Sequence, residues 1–444
     1  MEIMIAFLVG FPFISALLHG IVKDNKARKI ITYTSAGLII FAALMFTATY
    51  YIKGGGYITF NEEFLIGGLP FVEIVDYLMV AGEVFLVALI TVLSIKYKKY
   101  YAAVLSIAQT ALEFWYEFSG IKPKNQISNF YCDQLTIIMI LIIAIVGTFI
   151  TIYACGYMDD YHHHHGNEVK DRRGFFFAIM YVFIGAMFGL VLSNNLIWLY
   201  FFWEVTSVCS FLLIGYTKSA EAITNCFKAL WMNLLGGLGM AVGIVILGVN
   251  HSVTSLQGIL EQNKSLIVLP IICLSFGALT KSAQLPFSKW LLGAMVAPTP
   301  SSALLHSATM VKAGVYLLIR MAPAMSGEFS GYMVGLVGGL TFLAPFGMLV
   351  SKWAALKAFV DTGLASGNTL EIIVSTLLVL CICFGSATTL FYWSKWLATV
   401  LSSNPSDRRH KNTISINQWA SLFTHGGLMI LYCICIPSYF KICC

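Results

Sequence analysis

The chain has 444 residues, of which 58% are hydrophobic and only 11% are charged, and its mean hydropathy is +0.81. Repeated apolar runs of about 20 residues, each long enough to cross a bilayer, exclude a water-soluble enzyme and predict an all-α, polytopic membrane protein. The net charge of +6 then reports on membrane topology and gives no reason to expect nucleic-acid binding. No basic leader precedes the first apolar run and no small-residue cleavage site follows it, so we expect that span to be retained.

Hydropathy predicts about thirteen transmembrane helices in a single membrane domain. In chain order they lie near 3–22, 30–51, 76–95, 100–118, 133–155, 175–193, 195–216, 226–248, 265–292, 303–320, 330–350, 370–394 and 417–438. With the N-terminus outside, the connectors before Arg320 place eleven lysines and arginines inside and four outside. This excess supports the orientation under the positive-inside rule.

Four consecutive histidines, His162 to His165, lie in the long polar connector 156–174 and invite interpretation as a metal site. Consecutive residues of a regular element cannot all face one ion, and no acidic or cysteine ligand is spaced to complete a set. We therefore expect a solvated cytoplasmic loop here.

The cysteines lie mostly in apolar segments and show no paired CxxC framework. They are interpreted as small core residues rather than as a metal or disulfide set. Four of them show the pattern: Cys381, Cys383, Cys433 and Cys435. No ligand set for a flavin, an iron–sulfur cluster or nickel is visible, so we expect no cofactor and no metal in this subunit.

Two charged residues lie deep in apolar spans, Glu204 among aromatic residues and Lys281 in a span that contains Pro286. An ionisable group inside hydrocarbon costs several kcal/mol, about 3 on insertion scales, so it persists mainly where it faces a polar interior. Pro286 lacks an amide hydrogen and clashes with the carbonyl of Ser282, so the helix should be interrupted between about Thr280 and Pro286. A broken helix beside a buried charge is typical of an ion path, although a structural glutamate bonded to a Ser or Thr is the alternative for Glu204.

Other ionisable residues give weaker signals. His306 and Lys312 are six residues apart, or roughly 9 Å along one helix, and suit successive steps of proton transfer. Lys228 lies near the cytoplasmic end of its span, where snorkelling to the interface is nearly as good an explanation. Glu83 and Glu113 also fall in apolar runs, but we interpret both as structural, with the aromatic residues after Glu113 suggesting a membrane interface.

Three stretches carry a resemblance to a known family. The segment 277–320, GALTKSAQLPFSKWLLGAMVAPTPSSALLHSATMVKAGVYLLIR, resembles the signature of the antiporter-like subunits of respiratory complex I, Mrp cation/proton antiporters and energy-converting membrane hydrogenases. The segments NNLIWLYFFWEVTSVCSFLLIGY and DQLTIIMILIIAIVGTFITIYACGYM match the same family's glutamate-bearing span and an earlier span. HSATMVKAGVYL and the extra pair of N-terminal spans are most similar to the hydrogenase-type members.

The resemblance implies that Glu204 pairs with Lys281 and that His306 and Lys312 relay protons. It also implies that neighbouring subunits hold the redox centres. The domain therefore divides into N-terminal helices (1–132), a core with the first repeat (133–320), a junction (321–361) and C-terminal helices (362–444).

The family pattern has two inverted five-helix repeats, and the second is shortened here. LVGGLTFL, which resembles the opening of that repeat, runs directly into APFGMLVSKWAALKAF, which resembles its broken helix with Lys352 at the charged position. Relative to the family pattern, about three spans of sequence are missing between these two pieces, which indicates an internal deletion. The apolar run 331–350 suffices for one crossing, and one crossing would place the basic loop around Ser406 outside against the charge bias. A re-entrant turn at Pro345 is the alternative.

These features predict a proton- or sodium-translocating subunit of a redox-driven complex, most like an energy-converting hydrogenase or an NADH/quinone oxidoreductase, in a prokaryotic cytoplasmic membrane. Its expected partners are other membrane subunits, a peripheral redox arm and the lipid bilayer. One alternative is a subunit of a free-standing Mrp-type Na⁺/H⁺ antiporter. The other is a structural or assembly subunit that the deletion leaves without transport.

Overall fold

A computed structural model of the chain describes residues 1–53, 56–58, 65–66, 69–120, 128–165, 169–284, 286–305 and 309–325. All of them belong to one compact unit, Met1–Met325. Lys352, the shortened second repeat, the spans predicted near 330–350, 370–394 and 417–438 and the orientation of the loop around Ser406 lie outside the described residues. So does His306.

The described chain is mostly helical, as the sequence predicts. Its helices are α1 (Glu2–Ile21), α2 (Asn25–Lys53), α3 (Phe71–Lys96), α4 (Tyr100–Phe118), α5 (Gln134–Leu141), α6 (Thr148–His165), α7 (Arg173–Leu192), α8 (Leu196–Ile214), α9 (Ala220–His251), α10 (Leu256–Leu260), α11 (Val268–Lys281), α12 (Lys289–Gly293), α13 (Thr299–Ala303) and α14 (Met310–Met321). A π-helical turn, Ile142–Gly147, joins α5 to α6, and 3₁₀ turns follow α12 and α14. Seven helices in the described ranges are long and apolar enough to cross a membrane, so the total of about thirteen stays a prediction.

Two short antiparallel ladders complete the described secondary structure. Strand β1 (Gly56–Ile58) pairs with β4 (Phe130–Cys132), and β2 (Leu65–Ile66) pairs with β3 (Leu69–Pro70). Both lie in connectors that the charge pattern assigns to the outer side. The β1–β4 ladder joins the end of α2 to the start of α5.

Short polar side chains start several helices by accepting a hydrogen bond from a free amide of the first turn. Asp133 accepts from the Thr136 amide at 2.8 Å, and Ser219 accepts from the Ala222 amide at 3.1 Å. These caps define the residues at which α5 and α9 begin. Both side chains lie in connectors, where their polarity is not costly.

Helices α7 and α8 form the centre of the described unit, because 78% and 83% of the residues in their 18-residue apolar stretches are buried. They pack against each other, α1 packs on α7, and α9 packs between α8 and α11. Helix α3 is the most peripheral of the long spans in the described unit, because only 22% of its 18-residue apolar stretch is buried. It packs on α4 and α8. This arrangement surrounds α8, which carries Glu204, with other helices on most sides.

Two clusters of polar contacts support the alternating topology. Asp159 on α6 pairs with Lys29 of α2 at 2.6 Å and with Arg173 of α7, so three segments predicted to end inside meet there. At the other end, Arg320 of α14 pairs with Asp133 before α5. Segments predicted on the same side of the membrane are therefore in contact.

Two helix boundaries differ from the sequence prediction. The predicted span 303–320 is wrong as a single helix, because Thr309 has non-helical backbone angles and α14 begins only at Met310. The predicted loop 156–174 is wrong for its first half, because α6 continues to His165. There His162 hydrogen-bonds the Tyr216 hydroxyl at 2.9 Å, which ties this helix end to the end of α8.

Candidate ion-translocation site

Lys281 is the last residue of α11 and its side chain is fully buried. Its ammonium group donates to the Trp203 carbonyl at 2.6 Å and to the Ser207 hydroxyl at 2.9 Å. It also lies 4.6 Å from the centroid of the Trp203 ring, a distance at which the ring face attracts a cation. Helix α8 therefore holds the lysine of α11 in the middle of the helix bundle.

Glu204 follows Trp203 on α8 and is 5% exposed. Its carboxylate interacts electrostatically with Lys281, but these two described side chains form no salt bridge, because the amine is held by Trp203 and Ser207. The direct form of the predicted pairing is thus absent, and the water-bridged form stays a prediction. One oxygen of Glu204 has no hydrogen-bond partner among the described residues. The arrangement leaves a buried carboxylate and a buried amine as neighbours with separate contacts.

The helix bearing Lys281 is interrupted where the sequence predicts. Helix α11 ends at Lys281 and regular helix resumes at Lys289, with Pro286 in the intervening turn. The carbonyl of Thr280 accepts hydrogen bonds from the Ala283 amide at 3.2 Å and from the Trp290 indole at 2.9 Å, which compensates part of the broken ladder. The amine also lies at a helix C-terminus, where the partial negative charge of the free carbonyls favours a cation.

Ala283, just after the end of α11, has a φ of 54°. This left-handed conformation costs an L-residue with a Cβ roughly 1–2 kcal/mol, and glycine usually occupies it after a helix. The chain therefore keeps a strained turn two residues beyond the buried lysine.

Glycines on α9 allow that helix to pass close to the site. A Cβ at Gly237 would collide with the Glu204 carboxylate and lie 3.0 Å from the Gln109 side-chain oxygen. A Cβ at Gly236 would collide with the Thr280 hydroxyl, one residue before Lys281. A side chain larger than hydrogen would displace Glu204 at the first of these positions and Thr280 at the second.

The remaining predicted site residues are less closely associated. Lys228 on α9 is partly exposed, and Lys312 on α14 is exposed, with no hydrogen bond or ion pair to another described residue. Helix α14 packs against α11, so Lys312 is carried by a neighbour of the Lys281 helix. His306 and Lys352 lie outside the described residues. The described site therefore comprises Glu204, Lys281 and their contacts.

The structure adds two carboxylates that the sequence interpretation assigned to structural roles. Glu83 on α3 and Glu113 on α4 are 5% and 6% exposed, and they interact electrostatically across the packed α3–α4 pair. Burial of Glu113 places it inside the bundle, and the membrane-interface depth expected for it stays a prediction. The available signal was the spacing of Ser106, Gln109 and Glu113, which places three polar residues on one helix face.

Comparisons with known proteins cover the part of the chain that contains this site. A family profile described as "NADH:quinone oxidoreductase/Mrp antiporter, TM" matches residues 193–359. A second, described as "NADH-Ubiquinone oxidoreductase (complex I), chain 5 N-terminus", matches residues 126–166.

Curated relatives include "Na(+)/H(+) antiporter subunit A1" of Staphylococcus aureus. The protein of one strain is 39% identical over 236 residues, and that of another is 38% identical. The alignments cover 52% of this chain but only 27% of those proteins, so the chain matches about a quarter of their length.

Solved structures with similarity include an archaeal membrane-bound sulfane sulfur reductase and an Mrp complex from Dietzia sp.. The first is 18% identical with a TM-score of 0.41 and covers 71% of this chain and 64% of its own. The second is 24% identical with a TM-score of 0.41 and covers 70% of this chain and 34% of its own.

Proposed function

Since this chain belongs to the antiporter-like family of membrane subunits of NADH:quinone oxidoreductase and Mrp antiporters, we propose that it moves protons through Glu204 and Lys281. The observation that carries the proposal is the buried amine at a helix break. Lys281 is fully buried, its amine donates to two neutral oxygens of α8 among the described residues, and it neighbours the buried carboxylate of Glu204. A lysine in such surroundings changes its charge readily when a neighbouring charge changes.

The two groups act as an electrostatic pair. While Glu204 is ionised it favours the charged form of Lys281, and when Glu204 takes a proton that support is lost. Lys281 then releases its proton towards the segment that follows the helix break. On the family pattern, His306 and Lys312 receive it.

The setting that the curated relatives favour is a multi-subunit cation/proton antiporter, because their name specifies Na⁺/H⁺ exchange. In that setting the exchanged ions are protons and sodium, and the partners are other membrane subunits. The second candidate is a redox-driven complex of hydrogenase or quinone-reductase type, which the segment HSATMVKAGVYL favours by resemblance. Co-purification separates the two: small antiporter subunits support the first, and subunits with redox centres support the second.

The test of the proposal replaces Glu204 by glutamine in the intact complex. Glu204→Gln keeps the size and hydrogen-bonding ability of the side chain but removes its charge. Proton-coupled transport in everted membrane vesicles should fall by about two orders of magnitude or more, on the scale of removing a proton-transfer group, while the complex still assembles. Wild-type coupling in this variant would return Glu204 to a structural role.

The matched control is Glu221→Gln, which makes the same change on the exposed first turn of α9. It should transport at the wild-type rate. Ser207→Ala is a graded variant: it removes one of the two oxygens that hold the Lys281 amine, so transport should persist with an altered pH profile. An unchanged profile would show that this contact does not tune the lysine.

A further inference from the structure

The helix pair α3–α4 lies before both segments that the family profiles match, and it carries a line of buried polar groups. Glu83 of α3 and Glu113 of α4 are both buried, the two helices pack against each other, and the two carboxyl groups interact electrostatically. Two carboxylates that share a buried site repel each other and resist ionising together, so such a pair favours a state in which one of the two carries a proton. The protonated member can then donate a hydrogen bond to the ionised one.

The polar groups of α4 follow one face of the helix. Ser106, Gln109, Glu113 and Tyr116 recur at intervals of three and four residues and are all buried. Each has a side-chain polar atom without a hydrogen-bond partner among the described residues. The ten helical steps from Ser106 to Tyr116 span about 15 Å, or half of a bilayer's apolar thickness.

This stripe meets the translocation site at one point. The Gln109 side chain lies beside Glu204, because a Cβ at Gly237 of α9 would collide with a carboxylate oxygen of Glu204 and lie 3.0 Å from the Gln109 side-chain oxygen. Tyr200 is 1% exposed, lies one helical turn before Glu204 on α8, and its hydroxyl has no hydrogen-bond partner among the residues described. It interacts electrostatically with Glu204, Glu113 and Glu83, so all three carboxyl groups belong to its surroundings. Buried polar atoms of this kind are satisfied by water where side chains do not reach them.

We propose that the polar face of α4, with Glu83 of α3, is a proton-access path to Glu204, and that Glu83 and Glu113 share the proton that enters it. The path would let protons reach Glu204 from the α3–α4 edge of the bundle, separately from Lys281. The inference rests on the proposed function only in its last step, the delivery to Glu204. The shared proton is a property of the Glu83–Glu113 pair alone.

Infrared difference spectroscopy of the intact complex tests the shared proton. At neutral pH the wild type should show the carbonyl band of a protonated carboxylic acid, and Glu83→Gln and Glu113→Gln should each remove or shift it. Glu73→Gln, on the exposed first turn of α3, is the matched control and should leave the band unchanged. A band that survives both replacements overturns the proposal.

Transport in the same vesicles tests the path. Glu113→Gln and Glu83→Gln should slow proton-coupled transport by about tenfold, less than Glu204→Gln, because one access route is lost rather than the central group. If both variants transport at the wild-type rate while Glu204→Gln is inactive, the access path is wrong and the proposed function stands. If Glu204→Gln is active, the proposed function fails, whatever the infrared band shows.

Tyr200→Phe provides a second variant, because it removes only the hydroxyl that interacts with the three carboxyl groups and keeps the ring that packs in the bundle. It should shift the carbonyl band and slow transport. An unchanged band and an unchanged rate in this variant would overturn the path through the surroundings of Tyr200, even if the glutamine variants failed to accumulate.

Discussion

Replacing Arg320 by glutamine should loosen the junction between the start of α5 and the end of α14. The Arg320 guanidinium donates two nearly parallel hydrogen bonds to Asp133, at 2.6 Å and 2.8 Å. It also bonds the Tyr316 hydroxyl at 3.0 Å, and that hydroxyl donates to the Val191 carbonyl of α7 at 2.6 Å. One side chain therefore joins the ends of three segments on the outer side.

The size of the effect follows from exposure. The Arg320 side chain is 8% exposed, whereas that of Asp133 is 32% exposed and still reaches water. A hydrogen bond to a charged group contributes about 1.5–3 kcal/mol, and a solvent-exposed ion pair about 0–1 kcal/mol. Both bonds belong to one ion pair, and one of its members is partly exposed. We therefore expect a coupling free energy of about 2 kcal/mol between Arg320 and Asp133.

A double-mutant cycle of unfolding in detergent–SDS micelles measures this coupling. The variants are Arg320→Gln, Asp133→Asn and both together. Asp133→Asn is suited to the cycle because asparagine keeps an oxygen that can cap the Thr136 amide of α5. Arg320→Lys is the matched control: it keeps the charge but not the paired donors, so it should retain only part of the coupling.

A coupling of less than about 0.5 kcal/mol, which is the scatter expected for independent sites, would refute the reasoning. Such a result would mean that solvent screens the ion pair despite the burial of Arg320.

Three further predictions concern single positions. Gly237→Ala should lower transport, and it should lower stability by about 1–3 kcal/mol in the same micelle assay, because the added methyl group collides with Glu204. Wild-type values would contradict the close approach of α9 to Glu204. Ala283→Gly should raise stability by about 1 kcal/mol, because glycine adopts a φ of 54° without strain. A loss of stability would show that the Cβ of Ala283 does not strain this turn. A hydrogen bond from Arg173 lowers the pKa of Asp171 to about 2, so its stabilising contribution is present above the ordinary pKa of 3.8 and is lost as the pH falls towards 2. Asp171→Asn should therefore flatten the pH dependence of the melting temperature between about pH 4 and 2, and an unchanged profile would refute this.

The sequence by itself determined the class of the protein and the identity of its central charges. Hydropathy accumulates along a chain, so membrane spans are visible without any tertiary contact. A lone Glu204 or Lys281 in an apolar run is visible in the same way, because the cost of burying a charge implies a special environment. The break near Pro286 was also local, since proline removes an amide donor wherever it stands.

Only the tertiary structure decided which groups meet. Helix α8 is buried on nearly every side, so its sequence has no apolar stripe to fix its rotation about the axis. The contacts of Lys281 with Trp203 and Ser207 depend on that rotation and on neighbours far away in the chain. The association of Glu83 with Glu113 depends on how α3 packs against α4. Sequence spacing can place two residues on one helix face, but the packing of several helices decides whether a buried amine binds a carboxylate or, as here, neutral oxygens beside it.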